Sequence, residues 1–283
     1  MITLESIRRD ICEAVTKVRE RKPLAPSITN TVTINLVANA QLAVGGSAAM
    51  VYMPDEGEAM AGAGDAMYIN VGTIYPVYEE TLPRAARALQ KNGTPWVLDP
   101  VGSGMGRLRQ KLLCAFMQYK PTIIRCNASE AIALANFWRL GNGGKDSGMR
   151  GVDATDSVAE ARQAAVALAR WTGGAVAVSG ERDLVTDGKV TVLSSGGSPL
   201  MPRVTGMGCS LGGVAAVYAA VASPFIAVLT ATAIYNLAGR RAGSKVEGPG
   251  HFQAQFLDEL YLAKPEDVAA NPLELEEEPD GTH

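Results

Sequence analysis

Pro95-Trp96-Val97-Leu98-Asp99-Pro100-Val101-Gly102-Ser103-Gly104 passes from an apolar run to an acid, a proline and glycines. It reads as a buried strand that ends on an aspartate and gives way to a loop. Open α/β sheets place their ligands at the carboxyl ends of such strands, so Asp99 is a candidate site residue. The alternative is an aspartate that only caps a local turn. The glycines at 102, 104 and 106 lack the G-x-G-x-x-G spacing of a dinucleotide fingerprint.

Outward from this stretch, strand and helix signals alternate, which predicts one α/β unit rather than separate all-α and all-β parts. Upstream, Met67-Tyr68-Ile69-Asn70-Val71 reads as a strand ending at Gly72-Thr73, with a helix from about Val77 to Lys91 closed by Asn92-Gly93. Ala48–Tyr52 is a short strand after Gly45-Gly46-Ser47, and 55–64 is helical or irregular. Leu4, Ile7, Ile11, Val15 and Val18 recur at helical spacing over 3–20, and Pro23 and Pro26 follow. A helix over 35–42 has Asn30 or Thr31 in the position of a cap.

Downstream, a helix near 108–119 precedes the strand Thr122–Arg125, and Cys126-Asn127-Ala128-Ser129-Glu130 opens the next helix. Asn127 and Glu130 have capping-box spacing, which satisfies two orphan N–H groups. The other reading is that Glu130 projects from a strand end as Asp99 does, so that two carboxylates converge on Mg²⁺ through water. Residues 140–154 are a glycine-rich loop whose Gly144-Lys145 is not a P-loop. Ser157 with Glu160 forms a second capping box opening a helix to Trp171, Ala175–Gly180 is a buried strand, and 183–193 is a hairpin about Asp187-Gly188.

Thr205-Gly206-Met207-Gly208-Cys209-Ser210 then feeds an apolar helix. A glycine-spaced turn at a helix start gathers free backbone N–H groups, which suits a phosphate. Cys209 sits at that lip, where the helix dipole favours a thiolate. A simple connection with an inert cysteine is the alternative.

Bulk properties narrow the classes. At 47% hydrophobic and 19% charged residues the chain can build a large core and is not globally disordered. A net charge of −3 without a basic stripe argues against nucleic acid. Four cysteines without C-x-x-C spacing argue against a structural zinc site or disulfide framework and fit a reducing cytoplasm. The first residues carry charge throughout and lack a signal-peptide core, and the apolar helices near 211–222 and 225–238 read as core rather than membrane. With only two histidines, histidine-based catalysis is close to excluded. The expected organisation is one domain over 1–265 and an acidic, disordered tail over 266–283, rich in glutamate from Glu274.

Six stretches carry a resemblance: Ser27–Asn30, Gly46–Met50, Asn70–Thr73, Val97–Gly102, Ile124–Glu130 and Val204–Cys209. In that order they resemble the hydroxyethylthiazole kinases, a ribokinase-like family of thiamine salvage. The similarity runs from about residue 10 to Tyr261 and includes Gly248-Pro249-Gly250. The resemblance implies a mostly parallel central sheet with helices on both faces. It implies ATP- and Mg²⁺-dependent phosphorylation of 4-methyl-5-(2-hydroxyethyl)thiazole, and a homotrimer with sites at subunit interfaces.

Carried over by motif, Met50 contacts the thiazole, Gly206 lies beside its hydroxyethyl group, and Asn30 lines the pocket, for a neighbouring subunit if need be. Gly206, Met207, Gly208 and Cys209 form the anion hole. Arg125 and Ser179 contact ATP phosphates, and Asp99 and Glu130 organise the metal. Cys209 stands where sugar kinases of the superfamily carry an aspartate base. A pyrimidine kinase or a nicotinamide-cofactor-hydrate dehydratase of the same superfamily would carry aspartate at 209. A catalytically weak thiazole or nucleotide binder is opposed by the joint presence of Asp99, Arg125, Glu130 and Cys209. Three positions depart from the family pattern: Met207 replaces a small residue, Ser179 a threonine, and Cys126 a glycine expected close to the phosphates.

Overall fold

The computed structural model describes residues 2–140 and 154–277. Nine strands form one sheet: β1 (Leu24–Ile28), β2 (Ser47–Met50), β3 (Met67–Asn70), β4 (Trp96–Asp99), β5 (Ile123–Asn127), β6 (Ala175–Ser179), β7 (Asp183–Thr186), β8 (Val190–Ser194) and β9 (Leu273–Glu277). Their spatial order is β2-β1-β3-β4-β5-β6-β7-β8-β9. Pairings are parallel from β2 through β6 and antiparallel from β6 to β9.

The helices are α1 (Leu4–Arg21), α2 (Ile34–Ala43), α3 (Pro54–Ala63), α4 (Tyr78–Asn92), α5 (Arg107–Phe116), α6 (Ala128–Phe137), α7 (Ala154–Thr172), α8 (Met207–Ala219), α9 (Pro224–Gly243), α10 (Pro249–Leu262) and α11 (Pro265–Ala269). They divide between the two faces of the sheet. Buried residues of α1, α2 and α8 to α11 form one apolar layer, and those of α3 to α7 form the other. Parallel strands covered on both sides read as continuous apolar runs, which is why β3 and β4 were legible. Among the described residues no helix is long and apolar enough to cross a membrane.

Local signals explain most boundaries. α1 opens on a reciprocal Thr3–Ser6 capping box and buries Ile7, Ile11, Val15 and Val18. α4 carries Glu79 and Glu80 in its first turn and Lys91 in its last, matching the helix dipole, and stops at Gly93 in the left-handed region.

Three expectations need correction, and one strand went unread. The unread strand is β1, which contains Pro26 and follows Pro23. Pro26 is paired only with Ala49 of β2, and the pairing of β1 with β3 begins one residue later at Ser27, so the proline sits where the β3 ladder has not started. α2 starts at Ile34 with Thr33 at its cap position, so neither Asn30 nor Thr31 caps it. Asn30 instead closes the preceding turn, its Oδ1 accepting from Val32 N at 3.0 Å. α7 is already helical at Ala154, which places Ser157 inside it rather than at its cap.

The acidic tail is not disordered through residue 277: α11 and β9 both belong to it. Leu273 and Leu275 of β9 pack on the core, while Glu274 and Glu276 pair with Arg182 and Arg162. The glutamate run hides a period-2 alternation, which is a strand signal. Residues 278–283 lie outside the described residues, as does most of the loop expected over 140–154.

Candidate active site

Side chains alternate across a strand, so Tyr68 and Asn70 of β3, Val97 and Asp99 of β4, Ile123 and Arg125 of β5, and Ala177 and Ser179 of β6 share one face. That face is the one α8 covers, since Tyr68, Val97, Ile123 and Ala177 belong to the same apolar layer as α8. At the carboxyl ends of these strands the apolar run gives way to Asn70, Asp99, Arg125 and Ser179. The amino end of α8 lies against them.

Asp99 is fully buried. Its Oδ2 accepts from the Tyr68 hydroxyl at 2.8 Å and from Asn70 Nδ2 at 3.2 Å, and Arg125 Nη1 stands 3.6 Å away. Arg125 Nη2 donates to Ser179 Oγ at 2.9 Å. Asp99 Oδ1 and Arg125 Nε have no hydrogen-bond partner despite being buried. A buried acceptor and a buried donor left open on neighbouring residues are costly unless a ligand completes them.

The start of α8 supplies the cradle. Gly206 is its N-cap with φ near +90°, and no side chain caps the helix. The first helical bond runs from Ser210 N to the Gly206 carbonyl at 2.8 Å, so the N–H groups of Met207, Gly208 and Cys209 come before the helical ladder. A Cβ on Gly206 would come within 2.7 Å of Thr33 Cγ2, and one on Gly208 within 2.6 Å of Arg125 Nη1. Glycine at 206 and 208 is therefore required by backbone conformation and by the closeness of the guanidinium.

Electrostatics follow from burial. It pushes the Asp99 carboxyl up to about 6, against the pull of Arg125 and with a further push from Glu130. For Arg125 burial works against the charge, but Asp99, Tyr68 and Glu130 outweigh it and raise its pKa. Burial also pushes the Cys209 thiol up to about 11, Asp99 adds to this, and Thr33, Arg125 and Asn70 offset only part of it. Desolvation beside a carboxylate thus opposes the thiolate expected from the helix dipole.

The structure brings together Asp99, Arg125, Ser179, Gly206, Gly208 and Cys209. Asn30 joins them through Thr73, whose hydroxyl donates to Asn30 Oδ1 at 2.9 Å, and through Gly72, which packs on both Asn30 and Asn70. For Glu130 the capping-box reading is met. Its capping box with Asn127 is formed, with Oε2 accepting from Asn127 N at 2.9 Å and Oε1 from Gly102 N at 3.3 Å. It also lies near enough to Asp99 and Arg125 to shift both.

Met50 ends the edge strand β2, opposite Ser27 and on the far side of β1 and β3 from Asp99. The side chain of Met207, the first residue of α8, is buried in the apolar layer, which leaves only its backbone N–H to the cradle. Cys126 points to the opposite layer, its thiol donating to the Ala177 carbonyl at 3.7 Å, and so is not at the phosphate face as expected. Strand alternation explains this, because Arg125 and Cys126 must face opposite ways.

Sequence reasoning passed over Tyr68, Thr33, Asp183 and Asn236. Tyr68 had a signal: it lies two residues before Asn70 in a strand and so shares its face. Among the described residues no group of three or more histidine, cysteine or acidic side chains forms a metal cluster. The buried open oxygen of Asp99 with Glu130 nearby fits Mg²⁺ completed by water and phosphate oxygens, the usual form of such sites.

Comparison with known proteins gives the family. The family model described as "Hydroxyethylthiazole kinase family" matches residues 15–266. A hydroxyethylthiazole kinase of Bifidobacterium animalis subsp. lactis (strain AD011) is 48% identical over 281 residues, covering 96% of this chain and 93% of that relative. The solved structure of a hydroxyethylthiazole kinase protein from Pyrococcus horikoshii OT3 superposes with a TM-score of 0.84 at 30% identity, covering 95% of this chain and all of that one. A ribokinase-like superfamily protein from Enterococcus faecalis V583 shares the fold, with a TM-score of 0.59 at 13% identity over 92% of this chain and 94% of that one. The α/β architecture is therefore ribokinase-like, and the chain belongs to the hydroxyethylthiazole kinase family.

Proposed function

We propose that this chain transfers the γ-phosphoryl group of ATP to the hydroxyl of 4-methyl-5-(2-hydroxyethyl)thiazole, giving the thiazole monophosphate used in thiamine synthesis. The observation that carries the reading is the open pair Asp99 Oδ1 and Arg125 Nε, buried on the sheet face where an uncapped helix begins. Phosphoryl transfer needs in-line positioning and neutralisation of charge, with little covalent help. Arg125, Ser179 and the N–H groups of Met207, Gly208 and Cys209 supply donors for phosphate oxygens. Asp99 and Glu130 would hold Mg²⁺ through water; bound there, the ion neutralises phosphate charge.

Cys209, neutral with its thiol raised to about 11, orients the acceptor hydroxyl and does not serve as a preformed base. Asn30 and Met50 border the thiazole pocket, with Gly206 beside the hydroxyethyl arm. The active unit is a homotrimer whose sites lie at subunit interfaces. In support, all four residues of the edge strand β2 are half-buried, and the segments bordering the site expose Val32, Met53 and Tyr75. The four unpaired cysteines fit a cytoplasmic protein.

Incubation with ATP, Mg²⁺ and the thiazole, followed by mass spectrometry, tests this directly. The monophosphate should appear, and should disappear when Mg²⁺ is withheld. ATP hydrolysis without a phosphorylated thiazole would refute it.

A further inference from the structure

Asn271 lies between α11 and β9, beyond the span of the family match, which ends at residue 266. It is fully buried, and its whole side chain is engaged. Nδ2 donates to Ser194 Oγ at 3.2 Å and to the Ser195 carbonyl at 3.1 Å, while Oδ1 accepts from Arg240 Nη1 at 3.2 Å. Ser194 Oγ accepts a second amide proton from Asn236 Nδ2 at 3.0 Å. The same Asn236 Nδ2 donates to Asp183 Oδ2 at 3.0 Å, and Asp183 Oδ1 accepts from the Gly180 N–H at 3.0 Å. Gly180 follows Ser179, the partner of Arg125.

An unbroken chain of hydrogen bonds therefore links the C-terminal extension to the phosphate face: Asn271, Ser194, Asn236, Asp183, Gly180–Ser179, Arg125. Both protons of the Asn236 amide and both of the Asn271 amide are used, so the chain has no slack. Ser194 is buried and Asn236 nearly so, where an unpartnered polar group is expensive and a satisfied network is rigid.

We propose that Asn271 is a positioning residue for the nucleotide: through Ser194, Asn236 and Asp183 it fixes the turn that carries Ser179, and so the grip of Ser179 and Arg125 on the phosphates. This rests on the reading of Ser179 and Arg125 as phosphate-binding groups. A merely structural residue would lower stability and the active fraction without discriminating between the two substrates. A positioning residue for the nucleotide weakens nucleotide binding and leaves the alcohol alone.

The test titrates full-length wild type, Asn271→Ala, Ser194→Ala and Glu276→Gln with ADP and Mg²⁺ by calorimetry, and measures KM for ATP and for the acceptor alcohol. Asn271→Ala and Ser194→Ala should each raise the ADP Kd and the ATP KM three- to tenfold, with the acceptor KM unchanged. Glu276→Gln loosens β9, the strand that follows Asn271, without touching the chain of bonds, and should bind ADP as wild type does. Wild-type affinity in both alanine variants would overturn the proposal, as would equal weakening in Glu276→Gln. Should Asn271→Ala not fold, Ser194→Ala decides. If wild type binds ADP but phosphorylates no thiazole, the functional reading falls while the ADP titration still decides the role of Asn271.

Discussion

Asp99 is fully buried beside Tyr68 and Arg125, and this has a consequence for stability. Its carboxyl is raised from 3.8 to about 6 by burial. Between those values the folded chain keeps a proton that the unfolded chain has lost, so the contribution of Asp99 to stability falls as pH rises from about 4 to about 6. The stability of wild type relative to Asp99→Asn should drop by about 2–3 kcal/mol across that window, read by chemical unfolding at its two ends. A gap that stays constant would mean that Asp99 titrates normally. Cys209 gives a second test. With its thiol raised to about 11, turnover should show no Cys209-dependent limb between about pH 6 and 9. Cys209→Ala should lower kcat by about tenfold and leave the shape of the pH profile intact. A loss beyond about a hundredfold, with an acidic limb that vanishes in the variant, would make the thiolate the base after all. Neither pKa was legible in the sequence, because desolvation depends on what covers a group rather than on its neighbours in the chain.

At the level of elements, the amino end of α8 is the part that substitution tests most sharply. A methyl group at 208 would reach within 2.6 Å of the Arg125 guanidinium, which is itself held by Ser179 and Asp99. Gly208→Ala should displace Arg125, cost about 1–3 kcal/mol of stability and raise the ATP KM by about tenfold or more. Wild-type kinetics would show that Arg125 is not where the phosphates bind. Much of this element was readable from Thr205 to Ser210, because glycine spacing before an apolar helix has one main structural meaning. The strands β3 to β6 were equally readable from their apolar runs and polar ends. β1 was not, since a proline normally denies a central strand, and Pro26 is tolerated because the pairing with β3 begins only at Ser27. Cys126 was misplaced for want of a register: its face follows from the position of Arg125, not from its nearness to Asn127.

For the whole molecule, the nine-stranded sheet sets both the site and its boundary. The site forms where the parallel strands end beneath α8, and the sheet is closed on the far side by β9. Removing residues 273–283 would leave β8 with an open edge and uncover the contacts of Leu273 and Leu275. The shortened chain should unfold earlier on heating and self-associate with rising concentration, as seen by light scattering. A monodisperse product with the wild-type midpoint would show that β9 contributes nothing to the edge. Function was legible at this scale through six ordered stretches rather than any one of them. The C-terminal strand was hidden by the composition of its glutamate-rich tail. The central claim is that the phosphate face serves a thiazole alcohol. ADP release from ATP and Mg²⁺ should be measured with hydroxyethylthiazole, hydroxymethylpyrimidine and pyridoxal in parallel. Release well above background with the thiazole, and far less with the other two, is the predicted result; background release with all three, or preference for another alcohol, would contradict it.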